Sequence, residues 1–118
     1  MIRERRRFTR IPFRAPGTLE TGGERWSTRV LDLSLNGALV ARPETLDPVP
    51  GTPCRLEVVL EDGSRIRMDA EVAHVEGGRV GLRRTHIDIE SVTHLRRLVE
   101  LNLGDPALLE RELHELGE

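Results

Sequence analysis

The sequence predicts a mainly β fold, a six-stranded antiparallel β-barrel with C-terminal α-helices. Three observations lead there. From about Ala15 to Arg84 the chain reads as short strands separated by turn residues at regular spacing. Strands this short and numerous favour closure, because a barrel leaves no exposed edge. From Val92 onward the apolar period changes from two to three and four. The 118 residues fit one domain, a size that buries a workable core without metals or disulfides.

The elements follow in chain order. Residues 1–13 read as a flexible basic N-terminal arm, charged and without a sustained apolar period, in which Pro12 and the nearby Pro16 oppose helix. Residues 14–118 form the barrel and its helical tail. Gly22-Gly23 divides a run near Gly17 to Thr21 from Trp26 to Leu33, and Asn36-Gly37 marks the next turn. A strand over 38–42 leads into a proline-rich connection from Pro43 to Pro53. Leu56, Val58 and Leu60 alternate with Glu57 and Val59, and Glu61-Asp62-Gly63-Ser64 turns the chain. Ile66, Met68, Ala70 and Val72 then alternate with Arg67, Asp69 and Glu71, giving one apolar and one solvated face. Gly77-Gly78 turns into a last strand, Arg79 to Arg84. Val92, Leu95, Leu98 and Val99 form one helical face with Gly104 as its stop. Asp105-Pro106 opens a second helix with the stripe Leu109, Leu113 and Leu116.

The formal net charge of -2 conceals a segregation. Arg3, Arg5, Arg6, Arg7, Arg10 and Arg14 face only Glu4 at one end, whereas Asp105, Glu110, Glu112, Glu115 and Glu118 face only Arg111 at the other. That pattern suggests an anionic partner at the basic end. Every cation of the Lys/Arg class is a guanidinium, the better fork for phosphate and for the O6/N7 edge of guanine. The lone Cys54 excludes an internal disulfide and agrees with a cytoplasmic location. No apolar run approaches the roughly 18 to 20 residues of a membrane span, so no membrane insertion is expected.

Two stretches carry chemistry: Arg5-Arg6-Arg7-Phe8-Thr9-Arg10, and Asp32-Leu33-Ser34-Leu35-Asn36-Gly37. The first supplies guanidinium forks; the second supplies a carboxylate, a hydroxyl and a glycine at a turn between strands. Together they are the residue types that a small anionic guanine nucleotide needs.

The pair resembles the RxxxR and (D/N)xSxxG signature of the PilZ domain family, receptors for cyclic di-GMP. The resemblance extends over nearly the whole chain, through Val80-Gly81-Leu82 and from His94-Leu95-Arg96-Arg97 to Asn102-Leu103-Gly104-Asp105. It implies a six-stranded antiparallel barrel with a C-terminal helix, Arg6 and Arg10 as the signature arginines, and Asp32, Ser34 and Gly37 as the second motif. Arg5 stands where relatives carry an additional arginine and bind a stacked pair of ligand molecules; Arg7 is a further candidate contact. His74 stands where some relatives carry a tryptophan that stacks on guanine, and Arg84 where an apolar aromatic is common.

In such a site Arg6 and Arg10 would meet phosphate and the guanine O6/N7 edge, and Asp32 would accept from guanine N1-H and N2-H. Four extended residues span about 13 Å, so the arm must bend to bring both arginines onto one ligand. Gly37 would let backbone approach the ligand.

Competing readings stand beside this one. An arginine-rich arm alone is often solvated, and an Asp-x-Ser turn alone often satisfies its own backbone. His74 shares strand parity with Met68 and Val72, so a core histidine rivals a ligand contact. Trp26, alternating with Thr28 and Val30, reads as core. His74, His86, His94 and His114 have no metal-ligand spacing with Cys54, no nucleophile pattern occurs, and a glycine-rich phosphate loop is absent, so neither an enzyme nor a cofactor is expected.

The leading function is therefore a receptor that passes the signal to a protein effector through its surface. A ligand-independent PilZ-like interaction adaptor is the alternative. Specific nucleic-acid binding ranks last, because Phe8, Phe13 and Trp26 are the only aromatics available for base stacking.

Overall fold

The structure, a computed structural model, describes residues 10–103 and, beyond them, residues 107, 110, 111, 113 and 114. Arg5, Arg6 and Arg7 lie outside the described residues, as do the stop at Gly104, the cap at Asp105-Pro106, Leu109 and Leu116.

Six strands form a closed antiparallel barrel in the order β1-β2-β3-β6-β5-β4. They are β1 (Ile11–Thr21), β2 (Glu24–Ser34), β3 (Gly37–Ala41), β4 (Pro53–Val59), β5 (Arg65–Glu76) and β6 (Arg79–Ile87), followed by helix α1 (Ile89–Leu103). Closure is made by β4, which pairs with β1 from Gly17↔Val58 to Glu20↔Arg55. Two hairpins turn on paired glycines, Gly22-Gly23 (φ 61° and 81°) and Gly77-Gly78 (φ 56° and 77°). Positive φ at both central residues matches the twist of a two-residue hairpin, and side chains there would be strained.

The alternation read from the sequence becomes the core. Leu56 and Val58 of β4, with Ile66, Met68 and Ala70 of β5, point inward beside Leu19, Val30, Leu33, Val40 and Val80. One end is stoppered by α1, whose Leu95 and Val99 are fully buried. Each such side chain contributes roughly 1.5 to 3 kcal/mol on leaving water. Trp26 packs against this core, and its indole N-H donates to Thr45 Oγ1 at 3.0 Å.

Three local features differ from the sequence reading. β1 starts at Ile11, inside the stretch assigned to the arm: Ile11 pairs with Leu33 and Pro12 with Asp32. Proline is tolerated there because β1 pairs with β4 only from Gly17 onward, leaving the Pro12 and Pro16 segment with one β neighbour. The second turn is made by Leu35 and Asn36, and Gly37 already belongs to β3, paired with Ser34. Finally, β5 continues to Glu76 through a bulge between Val72 and His74. The extra residue shifts parity, so Val75 packs against the core and His74 is exposed. The core alternative for His74 therefore fails.

Candidate functional site

β2 carries an irregularity between Val30 and Asp32 where it pairs with β3, and β1 carries one between Pro12 and Ala15. Bulges of this kind re-aim side chains. The β2 irregularity and the β5 bulge between Val72 and His74 border one open cleft of about 220 Å³. Arg10, Asp32, Ser34, Gly37 and His74 all line it, together with Leu39, Gly81 and Arg83. Five of the expected site residues, drawn from the residue preceding β1, from β2, from β3 and from β5, thus come together at one place.

Arg10 and Asp32 face each other side-on, Nε to Oδ1 at 3.3 Å and Nη2 to Oδ2 at 3.1 Å. Both are mostly buried, at 30% and 20% side-chain exposure, so the pair is screened less than a surface pair. The two-pronged geometry is the one a guanidinium also offers phosphate or the O6/N7 edge, and the one a carboxylate offers two adjacent N-H groups.

Ser34 works locally. Its Oγ accepts from the Asn36 N-H at 3.2 Å and reaches the Gly37 carbonyl at 3.5 Å, which pins the β2-β3 turn. Gly37 lines the cleft and also has a packing role in the barrel. A Cβ there would collide with the Leu82 carbonyl oxygen, so the absent side chain lets β3 and β6 close on each other.

Gly81 does something similar for a side chain. The His74 imidazole lies over it, where a Cβ would overlap ring atoms Cε1, Nδ1 and Nε2. Leu39, opposite Gly81, is buried yet stands apart from the core cluster and lines the cleft, giving it an apolar floor beside the imidazole. Arg84 donates from Nε to the Leu35 carbonyl at 3.0 Å and from its backbone N-H to the Asn36 carbonyl at 2.8 Å, clamping the motif turn from β6.

Sequence reasoning missed Leu39, Gly81 and Arg83 as cleft residues. Leu39 reads as one more apolar strand residue, and Arg83 as one arginine among many. Only the β3-β6 pairing, with Leu39↔Gly81 and Gly37↔Arg83, brings them beside the motif.

A larger groove of about 590 Å³ runs between β1 and α1, lined by Phe13, Ala15, Val59, Leu60, Leu98 and Leu101 among others. None of the described motif residues lines it. Cys54 is buried, and burial first, then Asp69 and Glu71, push its thiol up to about 11, which keeps it protonated and unreactive at neutral pH. Among the described residues no group of three or more His, Cys, Asp or Glu is placed to hold a metal ion. No described helix is long and apolar enough to cross a membrane.

A closed six-stranded antiparallel barrel with an Arg/Asp-lined cleft at its β2-β3 turn defines a narrow structural class. The sequence model of the PilZ domain matches residues 4–101, and the chain belongs to the PilZ domain family. Solved structures agree with the fold. The PilZ domain of CeSA from a cellulose-synthesizing bacterium is 25% identical, with 77% of this chain and 94% of that one covered at a TM-score of 0.63. The PilZ domain of YcgR from Escherichia coli, solved with c-di-GMP, is 22% identical over 97% of this chain and 98% of that one, TM-score 0.66. The Bacillus subtilis inhibitor of motility MotI/DgrA is 19% identical, with 81% of this chain and 50% of that one covered, TM-score 0.72.

Proposed function

We propose that this chain is a cytoplasmic, non-enzymatic receptor for cyclic di-GMP that signals to a protein effector through its surface. The observation that carries the reading is the meeting of Arg10, Asp32, Ser34, Gly37 and His74 in one cleft, although the sequence scatters them from position 10 to position 74. Membership of the family and the likeness to a YcgR domain solved with c-di-GMP support it.

In this reading Arg10 and Asp32 exchange their mutual contacts for ligand contacts. The guanidinium turns to phosphate or guanine O6/N7, and the carboxylate accepts from guanine N1-H and N2-H. Charge-assisted bonds of this type contribute roughly 1.5 to 3 kcal/mol each, enough to offset the broken pair when several form together. Arg6 adds the second signature guanidinium, Arg7 a further one, and Arg5 supports a second, stacked ligand molecule. His74 offers its ring face to a base over the floor made by Leu39.

A ligand-independent adaptor is the second reading, favoured by how completely Arg10 and Asp32 satisfy each other. Calorimetric titration of cyclic di-GMP decides between them. The wild type is expected to bind, and Arg10→Ala and Asp32→Ala to weaken binding at least tenfold, about 1.4 kcal/mol, with the barrel still folded. Affinity unchanged in both variants would sink the receptor reading.

A further inference from the structure

The cleft has a second ionic wall that the motifs do not include. Arg83 of β6 lines it and is held by Glu71 of β5, the residue directly across the ladder, with Nη2 and Oε2 2.6 Å apart. Arg83 also pairs with Gly37 across the β3-β6 ladder, while Asp32 pairs with Leu39 two residues further along β3. The Arg10/Asp32 pair and Arg83 therefore flank the outer face of β3 from its two neighbouring strands, roughly 10 Å apart across two strand spacings.

We propose that Arg83 is a second cationic contact for the dinucleotide, engaging a phosphate or the guanine O6/N7 edge on the side of the cleft away from Arg10. This rests on the cyclic di-GMP reading given above and extends it to a residue outside both motifs. A cyclic dinucleotide repeats its phosphate and its guanine, so a receptor that grips both halves needs a guanidinium on each flank. Glu71 orients Arg83 without consuming it: the contact uses one corner of a fork that carries five N-H donors. At 53% and 34% side-chain exposure the pair is a surface one that contributes little to the fold, so the guanidinium can turn to a ligand at little cost.

The test is calorimetric titration of cyclic di-GMP into the full chain, comparing wild type with Arg83→Ala, Arg83→Lys and Arg79→Ala. Arg79 lies on the same strand, is exposed and does not line the cleft, so its removal subtracts the same charge from β6 without a contact. Arg83→Ala should weaken binding about tenfold, Arg83→Lys should recover part of the loss, and Arg79→Ala should stay within twofold of wild type. Thermal melts of all four should coincide, which separates loss of contact from loss of fold. Wild-type binding with Arg83→Ala unchanged would overturn the assignment of Arg83 and leave the receptor reading standing. Equal losses in Arg83→Ala and Arg79→Ala would also overturn it, by assigning the effect to long-range charge. No binding by the wild type would overturn both.

Discussion

At the scale of single residues, two glycines of the cleft look alike in sequence and differ in what surrounds them. A methyl group at Gly37 meets backbone, the Leu82 carbonyl oxygen, which can retreat only if β3 and β6 separate. At Gly81 it meets the far end of the His74 ring, which can rotate away. Gly37→Ala should therefore destabilise the barrel by about 1 to 3 kcal/mol, the usual range for overpacking. Gly81→Ala should change stability by less than about 1 kcal/mol, since alanine also gains over glycine in a strand, yet it should displace the imidazole. Urea denaturation measures the first effect, and the chemical shifts of the His74 ring in NMR spectra measure the second. Equal destabilisation by the two substitutions would show that the ring over Gly81 is as fixed as backbone.

At the scale of elements, α1 is tied to the barrel through its first turn. The Asp88 carbonyl accepts from the Val92 N-H at 2.9 Å, and its Oδ2 accepts from the Ser91 N-H at 3.0 Å, the geometry of an N-cap. Ser91, almost fully buried, accepts in turn from the Arg67 N-H of β5 at 2.8 Å. Hydrogen bonding from Ser91, first through its side chain and then its backbone, holds the Asp88 carboxyl below the usual carboxylate range. A carboxyl depressed in the folded state stabilises the fold above its unfolded value, about 3.9, and that stabilisation is lost as pH falls through the folded value. Asp88→Ala should cost about 1 kcal/mol at neutral pH, and its deficit against wild type should shrink below about pH 4, whereas Asp88→Asn should keep most of the cap and lose the pH dependence. Chemical denaturation at neutral and acid pH checks both; a deficit that persists undiminished in acid would assign the effect to something other than the charge. The elements themselves were legible where chemistry is local. Paired glycines announce two hairpins, and period two announces the inner faces of β4 and β5. The bulges were not, because an extra residue in a strand is fixed by its partner across the ladder, which no local pattern names. Local parity beyond Val72 consequently keeps a core placement of His74 standing beside the ligand contact, and it starts β1 too late because the first pairs of that strand, Ile11↔Leu33 and Pro12↔Asp32, are contacts with residues twenty or more positions away. The motif residues could be read from their spacing, whereas the wall built by Arg83 could not.

At the scale of the whole molecule, barrel and helix share one core, and this fixes how the chain unfolds. Leu95 and Val99 are buried in the same cluster as Val30, Leu56 and Met68, so the helix cannot leave without exposing the barrel interior. Removing the buried bulk of Leu95 leaves a cavity between α1 and the strands, for which leucine-to-alanine changes cost about 2 to 5 kcal/mol. Leu95→Ala should therefore lower the stability of barrel and helix together. The single tryptophan, Trp26, sits on β2 and is bonded to Thr45 in the β3-β4 connection, so its fluorescence follows the sheet, while far-ultraviolet circular dichroism follows the helix. In wild type and in Leu95→Ala the two signals should give coincident transitions, shifted as one to lower denaturant in the variant. A helix signal lost before the fluorescence changes would mean that α1 is a detachable stopper, and that the strands alone hold the cleft of Arg10, Asp32 and Arg83 in shape.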